Sequence, residues 1–253
     1  MNLARDLALA LDPVRLMQSL GHEPDRWQRD LLRSNADRML LLCSRQAGKT
    51  TVAAILGLHT ALYRPPALVL LASPALRQAQ ELFRALVGFY GRLGEAVPVE
   101  AESALRLELT NGSRIVALPG IEHTVRGYSG VSLVIIDEAA RVDDALYDAL
   151  APALAVSRGR IILLSTPFGK RGVFHRLWTG GGPEWYRVKI TATECPRIPA
   201  AFLEEQRRLM PRWVFEQEFE CQFHDDQLAA FAFADVQAAL SKDIEPLFGG
   251  GTP

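Results

Sequence analysis

The sequence predicts an α/β fold built on a doubly wound, mostly parallel sheet, and three observations carry that reading. Four short apolar runs, at 39–42, 67–72, 133–136 and 160–164, have the length and content of strands covered on both faces. Segments with helical spacing separate them, the alternation that gives parallel strand order. Chemistry-bearing residues then cluster just beyond the carboxyl ends of these runs, where open α/β sheets bind ligands. A chain of 253 residues, 49% apolar and 23% charged, can bury a substantial core and is not disordered.

Composition excludes several classes. No apolar run approaches the roughly 20 residues that span a bilayer. The start, Met1-Asn2-Leu3-Ala4-Arg5-Asp6, has no basic segment followed by an apolar one, so neither secretion nor a membrane partner is expected. Cys43, Cys195 and Cys221 are too scattered for a disulfide framework or a zinc cluster, and a reducing cytoplasm fits them. With 28 basic and 29 acidic residues, any nucleic-acid contact must come from a local patch.

The first apolar run leads into Cys43-Ser44-Arg45-Gln46-Ala47-Gly48-Lys49-Thr50-Thr51, and a helix follows from Val52. Strand, tight loop with Gly48-Lys49-Thr50, and helix are the context of a P-loop. The expected fold is therefore a P-loop NTPase of the RecA-like (ASCE) kind. Successive backbone N–H groups of such a loop form a concave anion site at a helix N-terminus. Residues 44–51 are expected to cradle ATP, with Lys49 on the β- and γ-phosphates and the Thr50 hydroxyl on Mg²⁺. One departure stands out: Cys43 replaces the first glycine of the motif.

Leu133-Val134-Ile135-Ile136-Asp137-Glu138 is the second decisive element, a buried strand with two acids at its carboxyl end. In this arrangement, a Walker B, Asp137 holds Mg²⁺ and Glu138 orients and deprotonates the attacking water. The 160–164 run ends in Ser165-Thr166-Pro167, placing two small hydroxyls beside the other motifs.

The remaining elements follow in order. Leucine spacing predicts helices over 3–11 and 14–20, and a third helix from Pro24 carries Gln28, whose amide can read an adenine edge. A helix over 75–93 is expected to have Ser73 as its cap and Pro74 at its first position. Residues 105–109 and 114–118, around Asn111-Gly112, predict a β-hairpin insertion carrying Arg106 and Arg114. Residues 120–130 read as a loop. A helix over 143–154 is expected to break near Pro152, and shorter segments follow: a helix at 172–178, a strand at 185–190, and helices at 200–209 and 211–219. The expected domains are an ATPase domain over 1–190 (N-terminal helices 1–36, core 37–190), a helical lid or linker over 191–248, and a flexible glycine-rich tail over 249–253.

The P-loop variant Ser44-Arg45-Gln46-Ala47-Gly48-Lys49-Thr50 is followed by Val125-Arg126-Gly127, Ile136-Asp137-Glu138-Ala139-Ala140 and Leu164-Ser165-Thr166-Pro167. Phe215-Glu216-Gln217-Glu218-Phe219-Glu220-Cys221 comes last. This series resembles the ATPase domain of the large terminase subunit of tailed bacteriophages, a DNA-packaging motor, from about Trp27 to about Phe233. The resemblance implies that Gln28 reads adenine, and that Ser165 and Thr166 sense the γ-phosphate and couple hydrolysis to motion. It implies that Arg126 acts in trans as an arginine finger, with Arg45 competing for the role in cis. The implied partners are double-stranded DNA, copies of the chain in a ring, a portal protein, a small terminase subunit and a C-terminal nuclease domain. The implied location is the cytoplasm of an infected bacterial host, docked transiently on the procapsid portal and absent from the mature virion. No strand with metal-binding acids follows the glycine run after Phe248, so no nuclease activity is expected of these residues. Arg106 and Arg114 are the candidate DNA contacts. The alternatives are a helicase-like nucleic-acid-dependent ATPase, which needs a second RecA-like domain, and a nucleotide-binding module without turnover, for which Glu138 would have no use.

Overall fold

Three short helices precede the sheet in the computed structural model, which describes residues 3–94, 96–125 and 127–225. These are α1 (Leu3–Leu11), α2 (Pro13–Ser19) and α3 (Arg26–Arg33). Then follow β1 (Arg38–Cys43), α4 (Lys49–Tyr63), β2 (Leu68–Ser73), α5 (Leu76–Arg92), β3 (Val99–Glu102), β4 (Arg106–Leu109) and β5 (Arg114–Pro119). The second half holds α6 (Glu122–Val125), β6 (Val131–Asp137), α7 (Asp144–Ser157), β7 (Arg160–Ser165), α8 (Gly172–Gly180), β8 (Tyr186–Ile190), α9 (Ala200–Leu209) and α10 (Arg212–Glu220).

Among the described residues eight strands form one sheet in the order β3-β4-β5-β2-β6-β7-β1-β8. From β5 to β8 all pairings are parallel; β3 and β4 run antiparallel at one edge. The doubly wound α/β prediction holds. The decisive feature is that β7 lies between the P-loop strand β1 and the acidic strand β6. Three strand ends therefore meet side by side at one edge.

Alternation along β1 explains its near-total burial. Met39, Leu41 and Cys43 join the cluster under α4 and α5, while Leu40 and Leu42 join the cluster under α7 and α8. Both faces are covered, which is why this strand reads as a continuous apolar run.

Some local expectations needed correction. The expected hairpin is present as β4 and β5, and it belongs to the main sheet: β5 pairs in parallel with β2, and β3 and β4 continue the sheet from it. Ser73 does not cap α5. It is the last residue of β2, fully buried, its carbonyl accepting from the Gly120 N–H at 2.7 Å, and Ala75 is the cap. Helix α7 runs through Pro152 without a break, giving up the one backbone hydrogen bond that a proline cannot donate. A one-turn helix, α6, stands within the expected loop.

Leu41 is 1% exposed at the middle of β1, between β7 and β8. Leu41→Ala should lower stability by about 2–5 kcal/mol. In a urea titration this reads as a lower midpoint at unchanged slope.

Candidate nucleotide site

The end of β1 sets the loop. The Ser44 N–H donates to the Ile190 carbonyl at 2.9 Å, extending the β1–β8 pairing by one residue before the chain turns. The turn needs left-handed backbone at Gln46 (φ 60°) and Gly48 (φ 87°), and Gly48 then caps α4. Cys43 is still in the strand, buried and without positive φ, so glycine is not required there. Burial pushes its thiol well above the ordinary value, which leaves it a packing group.

Opposite the loop, β6 ends in Asp137, and Glu138 takes left-handed backbone (φ 52°) to leave the strand. That geometry turns the Glu138 carboxylate toward Lys49, whose Nζ lies 3.1 Å from Oε1. Its other oxygen, Oε2, lies 3.4 Å from the Thr166 hydroxyl and 3.7 Å from Arg141 Nε. The Ser165 hydroxyl, at the end of β7, accepts from the Ala140 N–H at 3.2 Å and ties the two strand ends together. The Arg141 guanidinium also stacks on Phe168, 4.0 Å from the ring centre.

Asp137 is buried, with Oδ1 accepting the Glu138 N–H at 2.9 Å. Burial raises its pKa to about 6; the Lys49 charge opposes the shift and the Glu138 charge adds to it. Asp137 and the Thr50 hydroxyl are hard oxygen donors, and no cluster of three or more metal-ligating side chains exists among the described residues. A donor set this sparse suits Mg²⁺, which keeps waters and takes substrate phosphates as further ligands.

On the far side of the loop, Gln28 is 1% exposed, and its Oε1 accepts the Asp25 N–H at 2.9 Å. Its Nε2 lies 2.8 Å from where a Cβ on Gly48 would stand, so glycine allows the close approach. Arg197 reaches the same spot, donating to the Ala47 carbonyl at 2.8 Å and pairing with Asp25 at 2.8 Å. Arg45 forms an ion pair with Glu218 of α10, and its N–H donates to the Glu218 carbonyl at 3.1 Å.

A family model described as "Terminase large subunit, T4likevirus-type, N-terminal" matches residues 40–238. The chain belongs to this family. The terminase large subunit of Thermus virus P23-45 is 26% identical over 261 residues, covering 89% of this chain and 54% of that protein. The ATPase domain of the Thermus phage P74-26 large terminase superposes with a TM-score of 0.75 at 24% identity, covering 85% of this chain and all of that one. The large terminase of thermophilic bacteriophage D6E in complex with ADP gives 0.62 at 13% identity, covering 82% of this chain and 52% of that one. The chain spans about half the length of the curated relatives it matches.

In this terminase chain, Gln28, residues 44–51, Asp137, Glu138, Ser165 and Thr166 all lie at one edge of the sheet. Arg126 lies outside the described residues. Arg106 and Arg114 are exposed and remote from the loop; Arg106 pairs with Glu108. Arg141, Arg197, Asp25 and Glu218 were not singled out from sequence. Asp25 had a signal, the Asp-x-x-Gln capping box with Gln28. Glu218 sits in a quoted motif. Arg197 had none, because its role depends on where α9's approach segment crosses the loop.

A pH test follows from Asp137. Its native pKa near 6 exceeds the ordinary aspartate value of 3.8, so the folded state binds more protons between those values. Stability contributed by this group therefore falls as pH rises from about 4 through 6. Without nucleotide or divalent cation, Asp137→Asn should be more stable than the parent above pH 6, by at most roughly 3 kcal/mol. The advantage should vanish near pH 4, as followed by denaturant unfolding; a pH-independent difference would contradict the assignment.

Proposed function

We propose that this chain is the ATP-hydrolysing motor domain of a terminase large subunit, moving double-stranded DNA into a viral procapsid. The observation that carries the reading is the convergence of Lys49, Glu138 and Thr166 within hydrogen-bonding reach at three adjacent strand ends.

ATP would lay its phosphates on the N–H groups of the loop and the start of α4, with Lys49 between the β- and γ-phosphates. Thr50 and Asp137 would hold Mg²⁺, which supplies charge neutralisation on the phosphate oxygens. A γ-phosphate drawing Lys49 away frees Glu138 to take a proton from the attacking water. Thr166, already beside Glu138, then meets the γ-phosphate and carries its loss into β7 and the Phe168 stack. Gln28, with Arg197 beside it, stands where the base would rest. Residues 191–225 act as the described part of a lid, fastened to the loop by Arg45 and Glu218. Arg45 must leave Glu218 to serve as a finger in cis; Arg126 from a neighbouring copy serves in trans. The ring, the portal, a small terminase subunit and a nuclease domain complete the assembly, in the cytoplasm of the infected host.

Glu138→Gln should bind ATP but turn over about 10²–10⁴-fold more slowly in a single-turnover assay with Mg²⁺. Unchanged turnover would remove the base assignment, and a parent without turnover under any condition would favour a binding-only module. Specific activity should also climb with protein concentration if sites are completed between copies, and Arg126→Ala should abolish the climb. Flat activity, lost in Arg45→Ala, would move the finger into cis.

A further inference from the structure

The parallel strands have a second edge, at their amino ends, and arginines collect there. Arg114 opens β5, Arg160 opens β7 and Arg38 opens β1, while Arg64 caps α4 ahead of β2 and Arg158 caps α7 ahead of β7. The registers fix their order: Arg114 lies opposite Leu68 of β2, Arg160 opposite Leu133 of β6, and Arg38 opposite Ile161 of β7. From β5 through β2, β6 and β7 to β1 the row spans on the order of 19 Å, at about 4.8 Å per strand.

These cations are unequally neutralised. Arg33 nearby is paired with Asp12 at 2.7 Å, and Arg38 faces Glu184 at 3.7 Å. Arg64, Arg114 and Arg158 are exposed, and none has a carboxylate at ion-pair distance among the described residues. Arg160 is more sheltered and, among the described residues, donates only to neutral acceptors, including the Ala36 carbonyl at 3.2 Å and the Ser34 carbonyl at 3.1 Å. Burial, then the adjacent Arg64 charge, lowers its pKa, against an opposing effect of Asp37. Arg64 and Arg160 together line a cavity of about 380 Å³ with Arg33, His59 and Thr60. His59 is held toward its neutral form by burial. In a chain of net charge −1, three arginines share a cavity whose one lining carboxylate, Asp12, is already engaged by Arg33.

We propose that this amino-end edge is the surface that carries the sugar–phosphate backbone of double-stranded DNA. Arg64, Arg114 and Arg158 make the phosphate contacts, and Arg160 backs them from the cavity. The proposal rests on the reading of the chain as a DNA motor. Duplex DNA presents one negative charge per roughly 1.7 Å of axis, so a row of this length meets several phosphates. Planar guanidinium forks suit phosphate oxygens, and contacts to backbone alone carry no base preference, as a motor moving any sequence requires. The edge is also separated from the nucleotide by the length of the strands, roughly 20 Å for the six residues of β1. Arg106 is not part of it: it lies opposite Val116, within β5, and is paired with Glu108.

The test is fluorescence anisotropy of a labelled duplex with the 253-residue chain, repeated over a salt series. Replacing Arg64, Arg114 and Arg158 together by Ala should reduce the slope of log K against log salt by about 3, near one per lost contact. The corresponding triple Lys variant should keep most of the slope, since point charges remain. Removing the same charge elsewhere, from the exposed Arg77, Arg84 and Arg208, should leave the slope unchanged. Thermal unfolding of each variant separates lost binding from lost fold. Parent binding with an unchanged slope in the edge variant would overturn the edge alone. An equal fall in both Ala triples would do the same. No duplex binding by the parent at any salt would overturn the edge together with the DNA reading beneath it. If the edge variant loses binding to poly-glutamate while duplex binding persists, the edge serves an acidic protein partner and the DNA assignment falls.

Discussion

The meeting of Lys49, Glu138 and Thr166 depends on a single topological fact: β7 separates the strands that lead into the first two. Were β1 and β6 neighbours, no strand end would stand between the cation of the loop and the carboxylate. With β7 between them, Thr166 can touch Glu138 while Ser165 fixes the turn after it. The left-handed Glu138 backbone is the local cost of this arrangement, of the order of 1–2 kcal/mol for a non-glycine residue. Burial of β1, β6 and β7 on both faces supplies far more than that, which is how the fold holds a strained residue at its working edge.

The cations of the site are occupied by acceptors within the chain. Lys49 is held by Glu138, Arg45 by Glu218, and Arg197 by Asp25 and the Ala47 carbonyl. Each cation that a polyphosphate would attract already has an acceptor. A bound nucleotide would therefore exchange partners and need not create charge contacts from nothing, and every exchange moves something. In the proposed reaction, releasing Glu138 would free the base, and releasing Glu218 would loosen α10 from the loop. At the opposite edge of the sheet Arg64, Arg114 and Arg158 have no carboxylate at ion-pair distance among the described residues, which is what leaves them open to an external polyanion under the reading proposed above.

Much of this was legible because the four central strands obey one simple constraint. Covered on both faces, they must be apolar throughout, and a run such as Leu133-Val134-Ile135-Ile136 admits no other reading beside Asp137-Glu138. Strand β3 was missed for the opposite reason. Val99-Glu100-Ala101-Glu102 is mostly exposed at the sheet margin and held by its pairing to β4, so its sequence carries little pattern. Ser73-Pro74 reads as a helix start because Ser and Pro favour those positions, yet Ser73 ends β2 and α5 begins at Leu76, after Ala75. Long-range partners were the least readable. Arg197 sits 150 residues from Ala47 in the chain, and Arg45 173 from Glu218, with only the closing of the fold to bring them together.

The most direct measurement is calorimetric affinity for a non-hydrolysable ATP analogue in the parent and in Glu138→Gln. If Lys49 is held at rest by the Glu138 carboxylate, neutralising that carboxylate should tighten binding about fivefold, equivalent to roughly 1 kcal/mol for a partly exposed pair. Unchanged or weaker binding would mean that the two residues do not restrain each other before ATP arrives.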